Sequence, residues 1–153
     1  MSKLELKVPP VALFLIFVVV MHRLSRMLPS ANVDLPFAAV VALVCFVMSG
    51  VIGLAGVWEF RRAKTTVNPT KPENASLVVD TGVFAYTRNP MYVALLMLLI
   101  GLGYWLGNWA SLLCPVLFVL YMNRFQIQPE ERVLESLFGN DYIAFKQRVR
   151  RWI

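Results

Sequence analysis

Polar side chains stand at both ends of the longest apolar run in this sequence. Arginine, asparagine and tyrosine begin the run in TGVFAYTRNPMY, and an arginine and two glutamates follow its end. A glutamate can hold a cationic ligand, and an arginine can orient a carboxylate through paired hydrogen bonds. If the run folds back on itself, these side chains meet on one side of a membrane. They are Arg88, Asn89, Tyr92, Arg124, Glu130 and Glu131.

Each of these residues also has an ordinary structural explanation. The arginines could be positive anchors beside a membrane, and Asn89-Pro90 could begin a helix. Tyr92 could be an interfacial aromatic residue, and the glutamates could be charges in the first turn of a helix. Their convergence at one membrane depth favours the functional interpretation, because ionisable groups near a bilayer usually mark a site or a pairing.

The composition is that of a membrane protein with the length of one ordinary domain. Of 153 residues, 58% are hydrophobic and 16% are charged, and the mean hydropathy is +0.63. The apolar residues come in blocks, which is typical of membrane spans. The formal charge of +6 is therefore a signal of topology rather than of nucleic-acid binding. Cys45 and Cys114 lie within apolar runs, so we expect neither a disulfide framework nor a metal site.

These polar groups must be positioned by membrane helices. The residues from 8 to 28 and from 35 to 58 read as two spans, and 91–122 is a run of 32 residues without a charge. As one helix that run would be about 48 Å long, beyond a hydrocarbon core of about 30 Å. Gly107-Asn108 is a turn signal, so the run predicts a tight hairpin of helices 90–106 and 109–122. The predicted fold is an all-α integral membrane protein with about four transmembrane helices.

The distribution of lysine and arginine predicts the orientation. With four spans, thirteen of these residues fall on the side that holds both termini and the loop 59–90, and two fall on the other side. The positive-inside rule places that basic side in the cytoplasm. The tail 123–153 reads as two amphipathic helices on the same side, the first starting after Pro129. The second, with Tyr142, Phe145, Val149 and Trp152 on one face, is predicted to lie on an anionic leaflet.

The sequence also resembles a known family. TGVFAYTRNPMY, the apolar hairpin and NRFQIQPEERVLESLFGNDYIAFKQRV resemble the isoprenylcysteine carboxyl methyltransferases and are similar to the related phospholipid methyltransferases. The family pattern is TG, an aromatic residue and R-H-P-x-Y, then a hairpin, then arginine, E-E, F-G and R-V in that order. The resemblance, to a small bacterial-type member, covers roughly residues 56 to 151. It divides the chain into two N-terminal helices (1–58) and a methyltransferase-like core (59–153).

The resemblance implies a membrane-embedded methyltransferase that depends on S-adenosylmethionine and acts on a small lipophilic or lipid-like acceptor by carboxylate O-methylation. The implied location is the bacterial inner membrane, with the cofactor on the cytoplasmic side and membrane lipids as partners. Arg124, near the acceptor, and Glu131 are implied to be catalytic, and Glu130 or Glu131 is implied to bind the polar end of the cofactor. The residues implied to bind the cofactor are Leu77, Val78, Val79, Phe84, Arg88, Asn89, Pro90, Met91, Tyr92 and Glu130.

The chain departs from the family pattern at two positions, and two other functions stay open. Asn89 stands where the family usually has histidine, and asparagine cannot titrate near neutral pH. Gln126 falls close to where eukaryotic relatives carry another arginine. Membrane sterol reductases that use NADPH share this C-terminal architecture by resemblance. The phosphates of NADPH would require more arginines around the loop. A small membrane adaptor that kept the fold would bind neither cofactor.

Overall fold

The computed structural model describes residues 5–64 and 72–153, and within these ranges it consists of helices and irregular segments. Lys3 and Lys71, which contribute to the charge count, lie outside the described residues. The helices are α1 (Pro10–Met27), α2 (Ala38–Arg62), α3 (Pro90–Leu106), α4 (Trp109–Tyr121), a π-helix (Met122–Ile127), α5 (Gln128–Phe138) and α6 (Asn140–Arg148). The predicted all-α class is confirmed for this part of the chain.

Three helices of the described residues are long and apolar enough to cross a membrane. They are α1, α2 and the continuous helix Trp109–Phe138, whereas α3, with 17 residues, is a shorter apolar helix. The outward faces of these helices are apolar, as at Leu43, Leu54 and Leu113. Bilayer lipid covers such faces without cost, whereas contiguous apolar surface of this extent is rare on water-soluble monomers. The chain is therefore an integral membrane protein.

The predicted hairpin between α3 and α4 is confirmed. Gly107 ends α3 with a positive φ of 55°, a conformation that favours glycine. Asn108 then caps α4, because its side chain accepts a hydrogen bond from the Ser111 N–H at 3.2 Å. The Asn108 amide also donates to the Leu28 carbonyl and the Asn32 side chain. This fully buried asparagine thus ties the hairpin turn to the segment between α1 and α2.

Helix α2 packs closely along α3. The Ser49 hydroxyl donates to the Ala94 carbonyl at 2.8 Å, and a Cβ added at Gly56 would lie 3.1 Å from Pro90. Small residues and hydroxyl groups allow this close approach between membrane helices. Because α2 continues past residue 58 to Arg62, its end lies beside the beginning of α3. That end contributes directly to the cleft described below.

The predicted break between the hairpin and the C-terminal tail is wrong. We expected a new helix to start after Pro129, but α4 continues through the π-helix into α5 as one helix of 30 residues. The π-helix accommodates the proline, which would otherwise interrupt the regular hydrogen bonding. Such a helix is about 45 Å long, longer than a hydrocarbon core of about 30 Å. Its apolar part ends at Met122, so α5 lies beyond the membrane-spanning part.

The predicted packing of α6 on a lipid leaflet is also wrong. Tyr142, Phe145 and Val149 are buried in a cluster with Val79 and Phe84, so the apolar face of α6 covers protein rather than lipid. Amphipathicity gives the apolar face of a helix but not its partner. Several basic side chains of this region are paired within the chain, in Lys146–Glu135, Arg148–Asp80 and Arg151–Glu131.

Candidate functional site

A cleft lies where the beginning of α3 meets α5, α6 and the segment that leads into α3. It opens to solvent, and the empty space inside it, counted together with the adjoining open solvent, is about 810 Å³. Small-molecule sites in proteins are typically clefts of this kind, lined by apolar side chains with a few polar groups. The lining residues are Phe60, Pro72, Ala75, Leu77, Val78, Val79, Phe84, Arg88, Asn89, Pro90, Met91, Tyr92, Ile127, Glu130, Glu131, Leu134, Phe138, Tyr142 and Phe145.

The apolar wall of the cleft is held to the end of α2. The Phe60 and Phe84 rings pack edge to face with their centroids 4.9 Å apart. The buried Glu59 carboxylate accepts a hydrogen bond from the Thr81 hydroxyl at 2.7 Å. Gly82 has a φ of 57°, and a Cβ there would lie 2.2 Å from Glu59 Oε1. The segment that carries Phe84 is therefore fixed by one carboxylate and one glycine.

A buried ionic cluster forms one end of the cleft. Arg88 Nη2 donates to Glu131 Oε1 at 2.7 Å, and Arg151 Nη2 donates to Glu131 Oε2 at 2.6 Å. Burial pushes the pKa of Glu131 upward, but the hydrogen bonds and charges of Arg151 and Arg88 outweigh it and leave that pKa below its usual value. Glu131 is therefore an ionised carboxylate whose charge is neutralised within the chain.

Glu130, one residue earlier, has a different environment. The Tyr92 hydroxyl donates to Glu130 Oε2 at 2.9 Å, and the buried Gln126 amide lies 3.5 Å from that hydroxyl. Burial, with a smaller contribution from the charge of Glu131, raises the pKa of Glu130 to about 7 against the hydrogen bonds from Tyr92 and Gln126. Within the described part of the chain, no cationic side chain forms an ion pair with Glu130. Glu130 thus offers the cleft a carboxylate that a bound cation could neutralise.

Asn89 has a structural partner. Its amide donates to the Arg151 carbonyl at 2.9 Å, and the Arg88 N–H donates to the Arg150 carbonyl at 3.0 Å. The side chain makes no capping hydrogen bond to α3, although the helix begins at Pro90 as predicted. The C-terminal segment is therefore bonded to the beginning of α3, and Asn89 holds that contact.

Arg88 donates hydrogen bonds through two of its three side-chain nitrogens to other described residues. Its Nη1 donates to the carbonyls of Lys146 and Val149, and its Nη2 is paired with Glu131. Its buried Nε has no hydrogen-bond partner among the described residues. Buried donors are nearly always satisfied, so a ligand oxygen in the cleft is a candidate partner.

The structure brings the predicted cofactor residues together and leaves one predicted catalytic residue apart. All ten residues predicted to bind the cofactor line the cleft, as does Glu131. Arg124 does not line it; it is half-exposed and pairs with Glu5 at 3.2 Å. The roles predicted for these residues stay predictions.

Sequence reasoning missed several residues of the cleft. Phe60 was assigned to the loop 59–90, and Tyr142 and Phe145 were assigned to a lipid-facing helix. Arg151, which pairs with Glu131, was counted as a topology charge and as part of the basic face of the last helix. The spacing of α6 did show an apolar face, but no local signal indicates that this face packs against Val79 and Phe84, more than fifty positions earlier in the sequence.

Comparison with known proteins gives a consistent result. The family described as phospholipid methyltransferase matches residues 37–141. An uncharacterized protein of Haemophilus influenzae is 48% identical over 63 residues, which are 41% of this chain and all of that protein. The protein-S-isoprenylcysteine O-methyltransferases of Schizosaccharomyces pombe and Saccharomyces cerevisiae are 35% and 34% identical over 83 residues, 52% of this chain. The chain spans about a third of the length of these two yeast proteins, 34% in each case. No solved structure matches it.

Proposed function

The chain belongs to the phospholipid methyltransferase family, and on that premise we propose that it transfers a methyl group from S-adenosylmethionine to a small lipophilic or lipid-like acceptor. The family agrees with the resemblance carried by the sequence motifs. The two yeast relatives are named as methyltransferases of protein S-isoprenylcysteine. A cofactor and a reaction class are thereby assigned to the cleft, whereas the acceptor is named only by its chemical class.

The observation that carries this proposal is the contrast between Glu130 and Glu131 in one cleft. Glu131 is neutralised by two arginines, whereas Glu130 is held by Tyr92 and Gln126, which are neutral donors. A carboxylate in apolar surroundings without a cationic partner favours a cationic ligand. Such an environment suits a sulfonium cofactor better than a phosphate-bearing one.

The residues of the cleft fit the two ends of such a cofactor. S-adenosylmethionine, when bound, supplies an electrophilic methyl group on a positively charged sulfur. Glu130 would neutralise positive charge, and Arg88 Nε, which has no partner within residues 5–64 and 72–153, would bind an oxygen of the amino-acid end. The apolar wall of Phe60, Phe84 and Phe145 would cover the adenosine and exclude water. Excluding water strengthens each polar contact within the site.

Methyl transfer from a sulfonium requires positioning rather than a protein nucleophile. The acceptor atom must approach the methyl group in line and at about 3–3.5 Å, and effective positioning alone can contribute several kcal/mol to the barrier reduction. The rigid Arg88–Glu131–Arg151 cluster would hold the cleft in shape for that approach.

The acceptor is proposed as a lipophilic molecule, without assigning the atom that is methylated. Carboxylate O-methylation is the expectation from the resemblance, but the arginine predicted to orient such an acceptor, Arg124, lies outside the cleft and pairs with Glu5. The cleft lies directly beyond the apolar ends of α3 and α4, so an acceptor with an apolar tail could reach it from the bilayer. We further propose that α3 completes a set of four spans in the bacterial inner membrane, with the cleft on the cytoplasmic side.

Calorimetric titration of the detergent-purified protein tests the proposed cofactor. We expect S-adenosylmethionine and S-adenosylhomocysteine to bind in the micromolar range and NADPH not to bind. Binding of NADPH alone would replace the proposal with a reductase. Folded protein that binds none of the three would exclude the proposed cofactor site. A positive result leads to an acceptor screen in which transfer of a labelled methyl group to lipids is measured.

A further inference from the structure

The π-helix between α4 and α5 sets the direction of the side chains that follow it. A π-helix is rare, and it rotates the face of the downstream helix relative to a regular α-helix. Here it covers Met122–Ile127. Ile127 at its end and Glu130 in the following turn line the cleft. The Gln126 amide lies 3.5 Å from the Tyr92 hydroxyl. The position of Glu130 therefore depends on this irregular segment being kept.

The residues that hold the π-helix come from the segment before α1. Pro129 lacks an N–H, so the Phe125 carbonyl four positions earlier has no regular helical partner. The Leu6 N–H donates to this carbonyl at 3.0 Å. Leu6 has a φ of 58°, a left-handed conformation that costs a non-glycine residue about 1–2 kcal/mol. A strained residue of this kind persists where its surroundings determine the conformation.

Glu5 adds an ionic contact across the same junction. Its carboxylate is buried, with a relative side-chain exposure of 4%, and it accepts from Arg124 at 3.2 Å and from Arg132 at 2.8 Å. Arg124 belongs to the π-helix and Arg132 to α5. One carboxylate thus joins the π-helix to α5, the helix that carries Glu130.

We propose that Glu5 is a positioning residue for the cleft: with the Leu6 N–H, it holds the π-helical register that directs Glu130 into the ligand site. Arg124 and Arg132 act in this arrangement as the two ends of a bridge. The ligand-binding consequence rests on the proposed function, whereas the effect on the π-helix does not. The alternative is that Glu5 only balances the charge of Arg124 while Arg124 serves an acceptor. In that case Arg132, which does not line the cleft, would have no effect on the ligand.

Hydrogen exchange of the detergent-solubilised full chain tests the structural part without any ligand. We expect Glu5→Ala and Arg132→Ala to speed exchange of the backbone amides in 125–132, with a smaller effect from Glu5→Gln, which keeps an oxygen acceptor. Lys7→Ala, an exposed change in the same segment, should leave these amides unchanged. Exchange that stays at the wild-type rate in Glu5→Ala, Glu5→Gln and Arg132→Ala would overturn the proposal, whatever the protein binds.

A double-mutant cycle tests the link to Glu130. We expect Glu5→Ala and Arg132→Ala each to weaken S-adenosylmethionine binding about tenfold, because they displace the Glu130 carboxylate. In a Glu130→Gln background the same changes should add little, since residues that act through one group are not additive. Fully additive losses would overturn the positioning role. Should the wild-type chain bind no ligand, the proposed function fails, and the hydrogen-exchange result alone decides whether Glu5 holds the π-helix.

Discussion

Two adjacent glutamates in the cleft differ in charge state because their partners differ. Glu131 lies between Arg88 and Arg151 and is ionised, whereas Glu130 is held by neutral donors and has a pKa of about 7. Adjacent titratable groups with divergent environments are a common feature of functional sites. The sequence shows both glutamates as equal members of an E-E pair, and only their contacts separate them.

Glu130→Gln should weaken binding of S-adenosylmethionine without unfolding the protein. Loss of a charged hydrogen-bonding partner costs about 1.5–3 kcal/mol, so the dissociation constant should rise about tenfold to a hundredfold. Titration calorimetry measures the change, and size-exclusion chromatography shows whether the protein stays monodisperse. Glu135→Gln on the same helix, which removes a carboxylate paired with Lys146 outside the cleft, is the matched control. Equal affinity in the two variants would remove Glu130 from the site.

The affinity for a cationic ligand should depend on pH through Glu130. Below its pKa of about 7 the carboxyl group is protonated in the free protein, and a cation that requires the ionised form must displace that proton. The dissociation constant of S-adenosylmethionine should therefore rise about tenfold for each pH unit below 7 and level off above it. Calorimetry between pH 5.5 and 8.5, chosen as about one and a half units on each side of the pKa, measures the profile. A profile that is unchanged in Glu130→Gln would contradict this assignment.

At the scale of helices and segments, the cleft depends on the end of α2 and on the apolar face of α6. The hairpin bounds could be predicted from the sequence, because a charge-free run longer than a bilayer must turn, and Gly107-Asn108 supplies the turn. The convergence of Arg88, Asn89 and Tyr92 with the two glutamates of α5 was also predicted, and all of them line the cleft. The continuous helix through Pro129 and the partner of α6 could not be predicted, because both depend on contacts between distant segments. The π-helix has no periodic signature in a single sequence.

Gly82→Ala should destabilise the wall of the cleft. The added Cβ would lie 2.2 Å from Glu59 Oε1 at a φ of 57°, so both the carboxylate and the backbone must shift. Strain and the lost Thr81 contact should cost about 2–4 kcal/mol and lower the apparent melting temperature in detergent. Gly50→Ala in α2, where an added Cβ meets nothing within 4 Å, is the control and should be neutral or slightly stabilising. Similar melting temperatures for the two variants would mean that the segment around Gly82 adjusts freely.

At the scale of the whole molecule, the described residues form two hydrophobic clusters. One lies among α1, α3 and α4 around Met21, Leu99 and Phe118, and the other lies under the cleft around Phe84 and Phe145. The first cluster holds the apolar helices together, and the second packs α6 against the segment before α3. Residues of both clusters line the cleft, so an apolar acceptor and a polar cofactor could meet there.

The proposed orientation predicts which residues a membrane-impermeant reagent can label from each side of the membrane. In a chain whose two native cysteines are replaced by alanine, Ser136→Cys in α5 should react with an impermeant maleimide in inverted inner-membrane vesicles. Ser30→Cys, between α1 and α2, should react in right-side-out vesicles. Both serines are exposed. The reverse labelling pattern would place the cleft on the periplasmic side, and labelling of both sites from one side would contradict the four-span arrangement.

The unbroken helix Trp109–Phe138 has a mechanical consequence. Its first half faces lipid at Leu113 and Leu117, and its second half carries Glu130. A membrane helix adjusts its tilt when the hydrocarbon thickness changes. Because the helix is continuous from one half to the other, a tilt imposed by a thinner or thicker bilayer would move Glu130 relative to the wall of the cleft. Lipid chain length is thus physically coupled to the geometry of the site.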